Sequence, residues 1–281
     1  MMNWKQLISA KRFGMEEFHE ERQENRSEFQ RDYDRLIFSA PFRRLQNKTQ
    51  VFPLPGSVFV HNRLTHSLEV ASVGRSLGDD VAKALLERHP ELQDSFLPEI
   101  GSIVSAACLA HDLGNPPFGH SGEKAISTFF SEGKGVRLKE KQPNGEQLSP
   151  MEWEDLTHFE GNANAFRILT HQFEGRRKGG FVLTYTTLAS IVKYPFSSSL
   201  AGTKSKFGFF VSEEESFQKI ATELGLTLLN EHPLKYARHP LVYLVEAADD
   251  ICYQMMDIED AYKLKILTTE ETKELLMTYF S

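Results

Sequence analysis

Residues 101–126 read GSIVSAACLAHDLGNPPFGHSGEKAI. Apolar residues recur at helical spacing in the first half of this segment, which predicts a helix over residues 101–113. Val104, Cys108 and His111 lie on one face of that helix, and Asp112 follows at once. Two ionisable side chains therefore stand at the end of an apolar stripe, where a hydrophobic core would otherwise continue.

The same amphipathic pattern dominates the rest of the chain, whereas the alternation typical of strands is scarce. Only Val58–His61 or Lys206–Val211 could form a small β-hairpin. Residues 131–150 are polar and contain Gly and Pro, so we expect an exposed loop there. The pattern predicts an all-α fold in one domain of residues 1–281 with long surface loops. Further helices are expected at residues 64–88, 122–130, 161–173, 182–194, 213–230, 239–257 and 268–279.

The composition excludes several classes of protein. With 281 residues, of which 40% are hydrophobic, the chain is long enough for a substantial core and is neither disordered nor fibrous. No apolar run approaches the roughly 18 residues of a membrane span, and the N-terminal residues lack the apolar region of a secretory signal. The two cysteines, Cys108 and Cys252, argue against a disulfide scaffold and fit a reducing cytoplasm.

The charge balance limits the kind of ligand that the whole surface can attract. Asp and Glu number 39 against 32 Lys and Arg, which gives a net charge of −7. Binding of DNA regardless of sequence depends on neutralising phosphates and is not favoured by such a surface. An anionic substrate would therefore need a local basic pocket or a metal ion.

Ionisable residues interrupt two further apolar stripes, which consist of His66, Val70, Val73 and Leu77 in one helix and of Leu241, Val245, Asp249, Cys252 and Met256 in another. A carboxylate on a core stripe costs on the order of several kcal/mol unless it is paired, protonated or bound to a metal. Two imidazoles and two carboxylates would balance one divalent cation and leave coordination positions open for catalysis. The candidate ligands are His66, His111, Asp112 and Asp249. The alternative is that each histidine is simply hydrogen-bonded in the core.

Several motifs in fixed order make the chain recognisable over most of residues 26–256. They are RRLQNKTQVF (43–52), HNRLTHSLEV (61–70), HDLGNPPFGHSGE (111–123), THFEGN (157–162) and EAADDI (246–251). Together they closely resemble the deoxyguanosinetriphosphate triphosphohydrolases, the dGTPase branch of the HD-domain phosphohydrolases. The resemblance implies an HD-domain helical bundle whose metal ligands fall on the four residues that the stripes indicate.

The resemblance also implies an activity. Members of the family hydrolyse a deoxynucleoside triphosphate to the deoxynucleoside and inorganic triphosphate, with Mg²⁺ or Mn²⁺ as the expected ion, and homo-oligomers are common among them. We therefore expect dGTP, or another dNTP, as the substrate. Family members continue well beyond the EAADDI helix, whereas this sequence ends at Ser281. We expect metal binding without that C-terminal part, and fewer contacts to the nucleotide.

Catalytic candidates follow the HD motif. Pro116 and Pro117 turn the chain so that His120 returns towards the metal side, and Glu123 lies one helical turn later. Such a pair can act as general base towards water or as proton donor to the leaving oxygen, and the resemblance places catalytic residues at these two positions and at His158. The alternatives are a helix-start pair without a catalytic role and, beside His158, capping of the next helix by Glu160 and Asn162.

Phosphate and sugar contacts are assigned to a second set of residues. Arg63 lies three residues before His66 and can grip phosphate bidentately, and Lys193 offers a point charge after an apolar helix. Lys193 could equally stabilise the helix C-terminus. Candidate substrate-binding residues are Arg63, Lys193, Tyr194, Tyr253, Gln50 and Asn115. We expect His19, His61, His89, His171, His232 and His239 to be surface or core histidines.

The basic cluster Arg43, Arg44 and Lys48 is open to several interpretations. It could gather incoming nucleotide, bind a regulatory nucleotide or single-stranded DNA, or pair with Asp32 and Asp34. Two other functions also remain open for the chain: another HD nucleotide phosphohydrolase, or a sensor that binds nucleotide or single-stranded DNA without turnover. No membrane partner is expected.

Overall fold

Helix α5, Ile100–Ala110, lies at the centre of the fold, and all of its residues are buried. The computed structural model describes residues 2–18, 26–52, 59–140, 143, 145–175, 178–202 and 205–280. Around α5 stand the other helices: α1 Trp4–Leu7, α2 Glu28–Ile37, α3 Ala40–Arg44, α4 Arg63–Arg88, α6 Gly119–Ser131, α7 Pro150–Thr157, α8 Gly161–Thr170, α9 Tyr185–Ile191, α10 Glu214–Glu223, α11 Val242–Lys263 and α12 Thr269–Met277. The mainly helical fold that the sequence predicts is thus confirmed.

Helices α4 and α5 pack closely along their length, and small residues make this approach possible. A Cβ atom on Gly78 of α4 would lie 2.7 Å from the Cα atom of Gly101 at the start of α5. Helix α4 begins where Asn62 and Thr65 form a capping box, each side chain bonding to the other residue's backbone N–H. Helices α2, α9 and α11 also pack against α5, so one core contains the interior faces of five helices.

The β-hairpin lies at a different position from the two that the sequence predicted. Within the described residues, the strands are β1, Leu228–Asn230, and β2, Lys235–Tyr236, which pair antiparallel. Residues 206–211 contain no strand, and Val58 lies outside the described residues, as does His19. Helix α10 ends at Glu223, not at residue 230, because Gly225 adopts a positive φ of 65° and the N–H of Leu226 bonds back to the carbonyl of Ala221.

The periodicity did not predict four of the described helices, α1, α2, α3 and α7. Helix α1 begins after Asn3, and each of the other three begins after a serine whose hydroxyl accepts a backbone N–H bond, namely Ser27, Ser39 and Ser149. Within residues 131–150, Lys134–Lys139 form a 3₁₀ helix, and most of the described residues are exposed. Among the described helices, none is both long enough and apolar enough to cross a membrane.

His239, placed among the surface or core histidines by its sequence, lies in the core and holds the N-terminal segment to α11. Its Nε2 lies 3.0 Å from the carbonyl oxygen of Leu7, and its Nδ1 accepts the backbone N–H of Leu241 at 3.2 Å. The neutral tautomer with a proton on Nε2 satisfies both contacts. Burial, only partly opposed by the bond to Leu7, lowers the pKa of His239 to about 4.

This lowered pKa makes stability depend on pH. In the unfolded chain the imidazole takes up a proton near its ordinary pKa of 6.5, whereas the folded protein resists protonation down to about pH 4. The stabilisation is therefore complete above pH 6.5 and is lost as pH falls towards 4. Between pH 7 and pH 5, His239 should lower the free energy of unfolding by about 2 kcal/mol.

Urea titrations at pH 7, 6 and 5 would measure this effect in the wild type, in His239→Gln and in the exposed control His89→Gln. We expect the decline towards pH 5 to be smaller in His239→Gln by that amount and unchanged in the control. Equal slopes in all three proteins would contradict the assignment.

Candidate metal centre

Three helices bring the four candidate ligands together. His66 lies in the second turn of α4, His111 and Asp112 follow the end of α5, and Asp249 lies in the middle of α11. Within the described residues, His66, His111 and Asp112 form a group whose ligand atoms all lie within 4.8 Å of one another. Oδ1 of Asp249 lies 2.9 Å from Nε2 of His66 and 3.5 Å from Nε2 of His111.

The position of Asp249 differs from that of the other three. His66 and Asp112 are buried, whereas about a third of the Asp249 side chain reaches solvent. Asp249 therefore stands at the mouth of the group, and the other three form its interior. A ligand that approaches from solvent would therefore meet the group on the Asp249 side.

The hydrogen bonding of His111 fits a metal ligand. The carbonyl oxygen of Cys108 lies 2.6 Å from Nδ1, which therefore carries the proton in the neutral ring. Nε2 is left with its lone pair, and this buried atom has no hydrogen-bond partner. A histidine whose one nitrogen is fixed by a carbonyl and whose other nitrogen faces carboxylates is the usual arrangement at a metal. The residues present therefore fit a divalent ion with nitrogen and oxygen ligands.

Electrostatics couple the members of the group. Burial opposes charge on His111, but the carboxylates of Asp112 and Asp249 outweigh it and raise its pKa to about 9. Burial likewise opposes charge on Asp112, yet His111 and Arg63 hold its pKa below the ordinary value. The pKa of Asp249 is also lowered, against its burial, by the two imidazoles. Without an ion, the ring therefore also carries a proton on Nε2 at neutral pH, the atom that keeps its lone pair in the neutral ring, and a bound cation would take the place of that proton.

Arg63 connects the group to the next helix. Its Nη1 donates to Oδ2 of Asp112 at 2.6 Å, and a Cβ atom on Gly119 would meet its Nη2 at 2.8 Å. The guanidinium therefore lies between Asp112 and the first turn of α6. Asn115, expected to contact sugar or base, donates its side-chain amide to Oδ1 of Asp112. Both residues orient Asp112, an effect that their sequence positions did not reveal.

Lys48 has a different partner from those expected for the basic cluster. Its Nζ donates to the carbonyl oxygen of Asn115 at 2.7 Å and holds the turn after the HD motif. The alternative that the cluster pairs with Asp32 and Asp34 is wrong for the contacts described. Asp32 is bound by Arg12 and Thr184, and Asp34 is bound by Arg26.

His120 and Glu123 form the pair that their spacing predicts. The Nδ1 atom of His120 lies 2.7 Å from Oε2 of Glu123, and 85% of the His120 side chain is exposed. Glu123 is buried and also accepts the backbone N–H of Gly161 at 2.8 Å. A turn with positive φ at Phe118 and Gly119 precedes the pair. The glutamate is fixed and the imidazole is open, an arrangement suited to proton transfer at the free face of the ring.

Lys206 belongs to this region, although its sequence position gave no assignment. Its Nζ lies 2.9 Å from Oε1 of Glu160 and 3.7 Å from Oε2 of Glu123. Glu160 caps α8 through the backbone N–H groups of Asn162 and Ala163, as the capping alternative proposed for this residue. The position of Lys206 at the start of KFGFF, a segment rich in phenylalanine, was the one sequence feature that could have indicated its place near the site.

The remaining candidates lie in several places. His158 ends α7, where its Nδ1 contacts the carbonyl oxygen of Glu154 at 3.1 Å, a partner from its own helix. Lys193 is not a lone ammonium, since its Nζ lies 2.8 Å from Oε1 of Glu246. Tyr253 is exposed on α11, one turn after Asp249, and Gln50 has a buried Oε1 atom without a hydrogen-bond partner.

Measurements of metal affinity should distinguish Asp249 from Asp250, the two neighbouring aspartates of α11. Asp249→Ala should weaken Mn²⁺ binding about 100-fold or more, because it removes a carboxylate from the group. Asp250→Ala should leave the affinity within about twofold, since Asp250 is exposed and, one residue after Asp249, faces a different side of α11. Calorimetric titration of the purified proteins with Mn²⁺ would measure both constants.

Thermal unfolding provides an independent measurement on the same variants. At free Mn²⁺ of 100 times Kd, the free energy of unfolding should rise by about 2.7 kcal/mol in the wild type and in Asp250→Ala, and much less in Asp249→Ala. Loss of binding in Asp250→Ala alone, or no stabilisation of the wild type, would contradict the site.

Comparison with known proteins agrees with this geometry. Residues 63–178, which include three of the four candidate ligands, match the family model of the HD domain. The chain is 46% identical over 98% of its length to a deoxyguanosinetriphosphate triphosphohydrolase-like protein of Pseudomonas aeruginosa (strain LESB58), of which it covers 61%. It is 43% identical over 99% of its length to a protein of the same name from Synechocystis, of which it covers 64%.

A third relative is the deoxyguanosinetriphosphate triphosphohydrolase of Yersinia enterocolitica, with 36% identity over 96% of the chain and 57% of the relative. The chain thus spans about three fifths of the length of the curated relatives it matches. The HD model covers the part of the chain that contains His66, His111 and Asp112. The family model of the HD domain thus matches residues 63–178, and proteins named deoxyguanosinetriphosphate triphosphohydrolase-like are similar to the chain over nearly its entire length.

Proposed function

We propose that this protein hydrolyses deoxynucleoside triphosphates, dGTP first among them, to the deoxynucleoside and inorganic triphosphate. The proposal rests on one observation: two groups of chemically active side chains lie on either side of the turn between α5 and α6. The His66, His111 and Asp112 group lies at the end of α5, and the His120–Glu123 pair begins α6 only a few residues later. The names of the relatives support the same substrate class.

The proposal assigns the ion and its ligands. His66, His111, Asp112 and Asp249 would hold Mg²⁺ or Mn²⁺, both of which accept carboxylate oxygen and can accept imidazole nitrogen. When bound, such an ion polarises a phosphate oxygen and lowers the pKa of water. The buried, unpartnered Nε2 atom of His111 supports this assignment.

The reaction requires proton movement at two atoms. Water attacks the α-phosphorus and loses a proton, the bond from phosphorus to the 5′ oxygen breaks, and that oxygen gains a proton as the deoxynucleoside leaves. His120, held through Nδ1 by Glu123, is the residue that we propose to transfer a proton at Nε2. His158 is a second candidate for the other transfer, in the segment next to Gly161, whose N–H binds Glu123.

Substrate binding is assigned to the cations and aromatic residues around the group. Arg63 and Lys193, with Tyr194, are proposed to bind the triphosphate, since guanidinium and ammonium groups recognise phosphate oxygens. Tyr253, Gln50 and Asn115 are proposed to contact the sugar or base. Arg63 already binds Asp112, so a phosphate would share this guanidinium with the aspartate.

The proposal also covers the organisation of the protein. We take residues 1–281 as one HD-type domain in which residues 131–150 form a surface loop. The free, buried cysteines Cys108 and Cys252 are consistent with a cytoplasmic protein. We also propose that the protein assembles into a homo-oligomer. A regulatory nucleotide or single-stranded DNA is proposed to control it by binding at Arg43 and Arg44.

Product analysis tests the reaction type. The purified protein is incubated with each dNTP in Mg²⁺ or Mn²⁺, and triphosphate, pyrophosphate and phosphate are separated by ion-exchange chromatography. We expect equimolar deoxynucleoside and triphosphate, fastest with dGTP. Release of pyrophosphate or phosphate would indicate another HD phosphohydrolase, and nucleotide binding without turnover would indicate a sensor.

The His120 variant tests the proton-transfer role. His120→Asn should lower kcat about 10²- to 10⁴-fold, the usual contribution of a positioned acid or base. The affinity for Mn²⁺ should remain within about twofold, because His120 is not part of the ligand group. His89→Asn, at another exposed histidine, serves as the matched control and should retain full activity. Retention of activity in His120→Asn would contradict the assignment.

A further inference from the structure

One ion-pair cluster beside the metal group contains Lys193, already proposed to bind the triphosphate, and two residues without an assignment, Glu246 and Arg238. Glu246 of α11 accepts two cations, one on each carboxylate oxygen. Lys193 Nζ lies 2.8 Å from Oε1, and Arg238 Nη1 lies 2.9 Å from Oε2. Lys193 follows the end of α9 and Arg238 precedes α11, so one carboxylate fixes two segments that are distant in the sequence.

Two tyrosine rings restrict the guanidinium further. Arg238 lies 5.6 Å from the centres of the Tyr194 and Tyr243 rings. The ammonium group of Lys193 lies 5.8 Å from the centre of the Tyr194 ring. Cations in such positions are attracted to the ring face. The two side chains are thus held by ring contacts as well as by the carboxylate, which reduces the entropy lost when they bind a ligand.

The cluster lies next to the ligand group. Glu246 and Asp249 are three residues apart on α11 and therefore lie on the same side of the helix. Burial opposes the charge on Lys193, but Glu246 and, more weakly, Asp249 raise its pKa, so the ammonium remains charged. About a third of the Lys193 and Arg238 side chains is exposed, against about a fifth of Glu246. The cations therefore face solvent more than the carboxylate that holds them.

Donor capacity remains on both cations. An ammonium group has three N–H donors and a guanidinium has five, and the described contacts to Glu246 use one of each. A buried structural ion pair would use its donors internally and would not expose the cations. From these contacts we propose that Glu246 is a positioning residue that holds Lys193 and Arg238 as a two-cation subsite for the oligophosphate of the substrate. Arg238 is thereby a further substrate-binding residue.

This inference rests on the proposed function, but its test does not require turnover. The probe is inorganic triphosphate, titrated by calorimetry into the protein saturated with Mn²⁺. Glu246→Gln retains the size of the side chain and removes its charge. We expect it to raise the Kd for triphosphate about 10-fold while the Kd for Mn²⁺ stays within about twofold. Glu246→Asp, which keeps the charge, should recover part of the loss.

Arg238 is tested in the same titration. Arg238→Gln should raise the Kd for triphosphate about 10-fold, and Arg238→Lys should recover part of it. Glu259→Gln is the matched control, because Glu259 also pairs with a lysine of α11, Lys263, but stands near the other end of the helix. The control should bind triphosphate as the wild type does.

The outcomes separate the inference from the proposed function. Unchanged or tighter triphosphate binding in Glu246→Gln would overturn the inference, since the carboxylate would then be a bystander or a competitor. Parallel loss of Mn²⁺ and triphosphate affinity would also overturn it, because Glu246 would then act through the metal group or the fold. A wild type that binds triphosphate through this cluster but hydrolyses no dNTP would refute the proposed function and leave the subsite standing.

Discussion

The burial of charge at the end of α5 is the constraint on which the rest of the site depends. Asp112 lies in a region where every residue of the preceding helix is buried, so its carboxylate needs compensation from several directions. Arg63 approaches it from α4, and His111 and Asn115 approach it from the same turn of the chain. The chain around the site is arranged to satisfy this one acid, and the imidazole of His111 has a nitrogen atom suited to a cation.

This constraint explains why the grouping of His66, His111, Asp112 and Asp249 could be predicted from the sequence, whereas their role as metal ligands stays a prediction. His66 and Asp249 stand where helical spacing requires a hydrophobic residue, and such an interruption is visible without any knowledge of the fold. Spacing also predicted the His120–Glu123 contact, because residues three apart on a helix are neighbours. The helical class followed from the same periodicity, although the ends of some helices, four short helices and the position of the strands differed from the prediction.

Other parts of the site depend on tertiary contacts that spacing does not encode. Lys48 binds a carbonyl 67 residues away, and Lys206 meets Glu160 across 46 residues. Neither partner could be deduced from local pattern. The short helices α2, α3 and α7 were missed for a related reason. Their start signals are one serine each, with Glu152 completing a capping box at α7, and helices of this length depend on packing more than on their own periodicity.

The contact between Gly78 and Gly101 has a consequence for the ligands at the other ends of their helices. Because the two backbones are in contact there, α4 and α5 cannot slide along one another or separate without losing this contact. His66 lies three turns from the contact along α4, and His111 lies about the same distance from it along α5. The lack of side chains at Gly78 and Gly101 therefore fixes the positions at which the imidazoles of His66 and His111 face one another. A larger residue at Gly78 would meet the backbone of Gly101 and force the two helices apart, which would change how His66 and His111 approach one another.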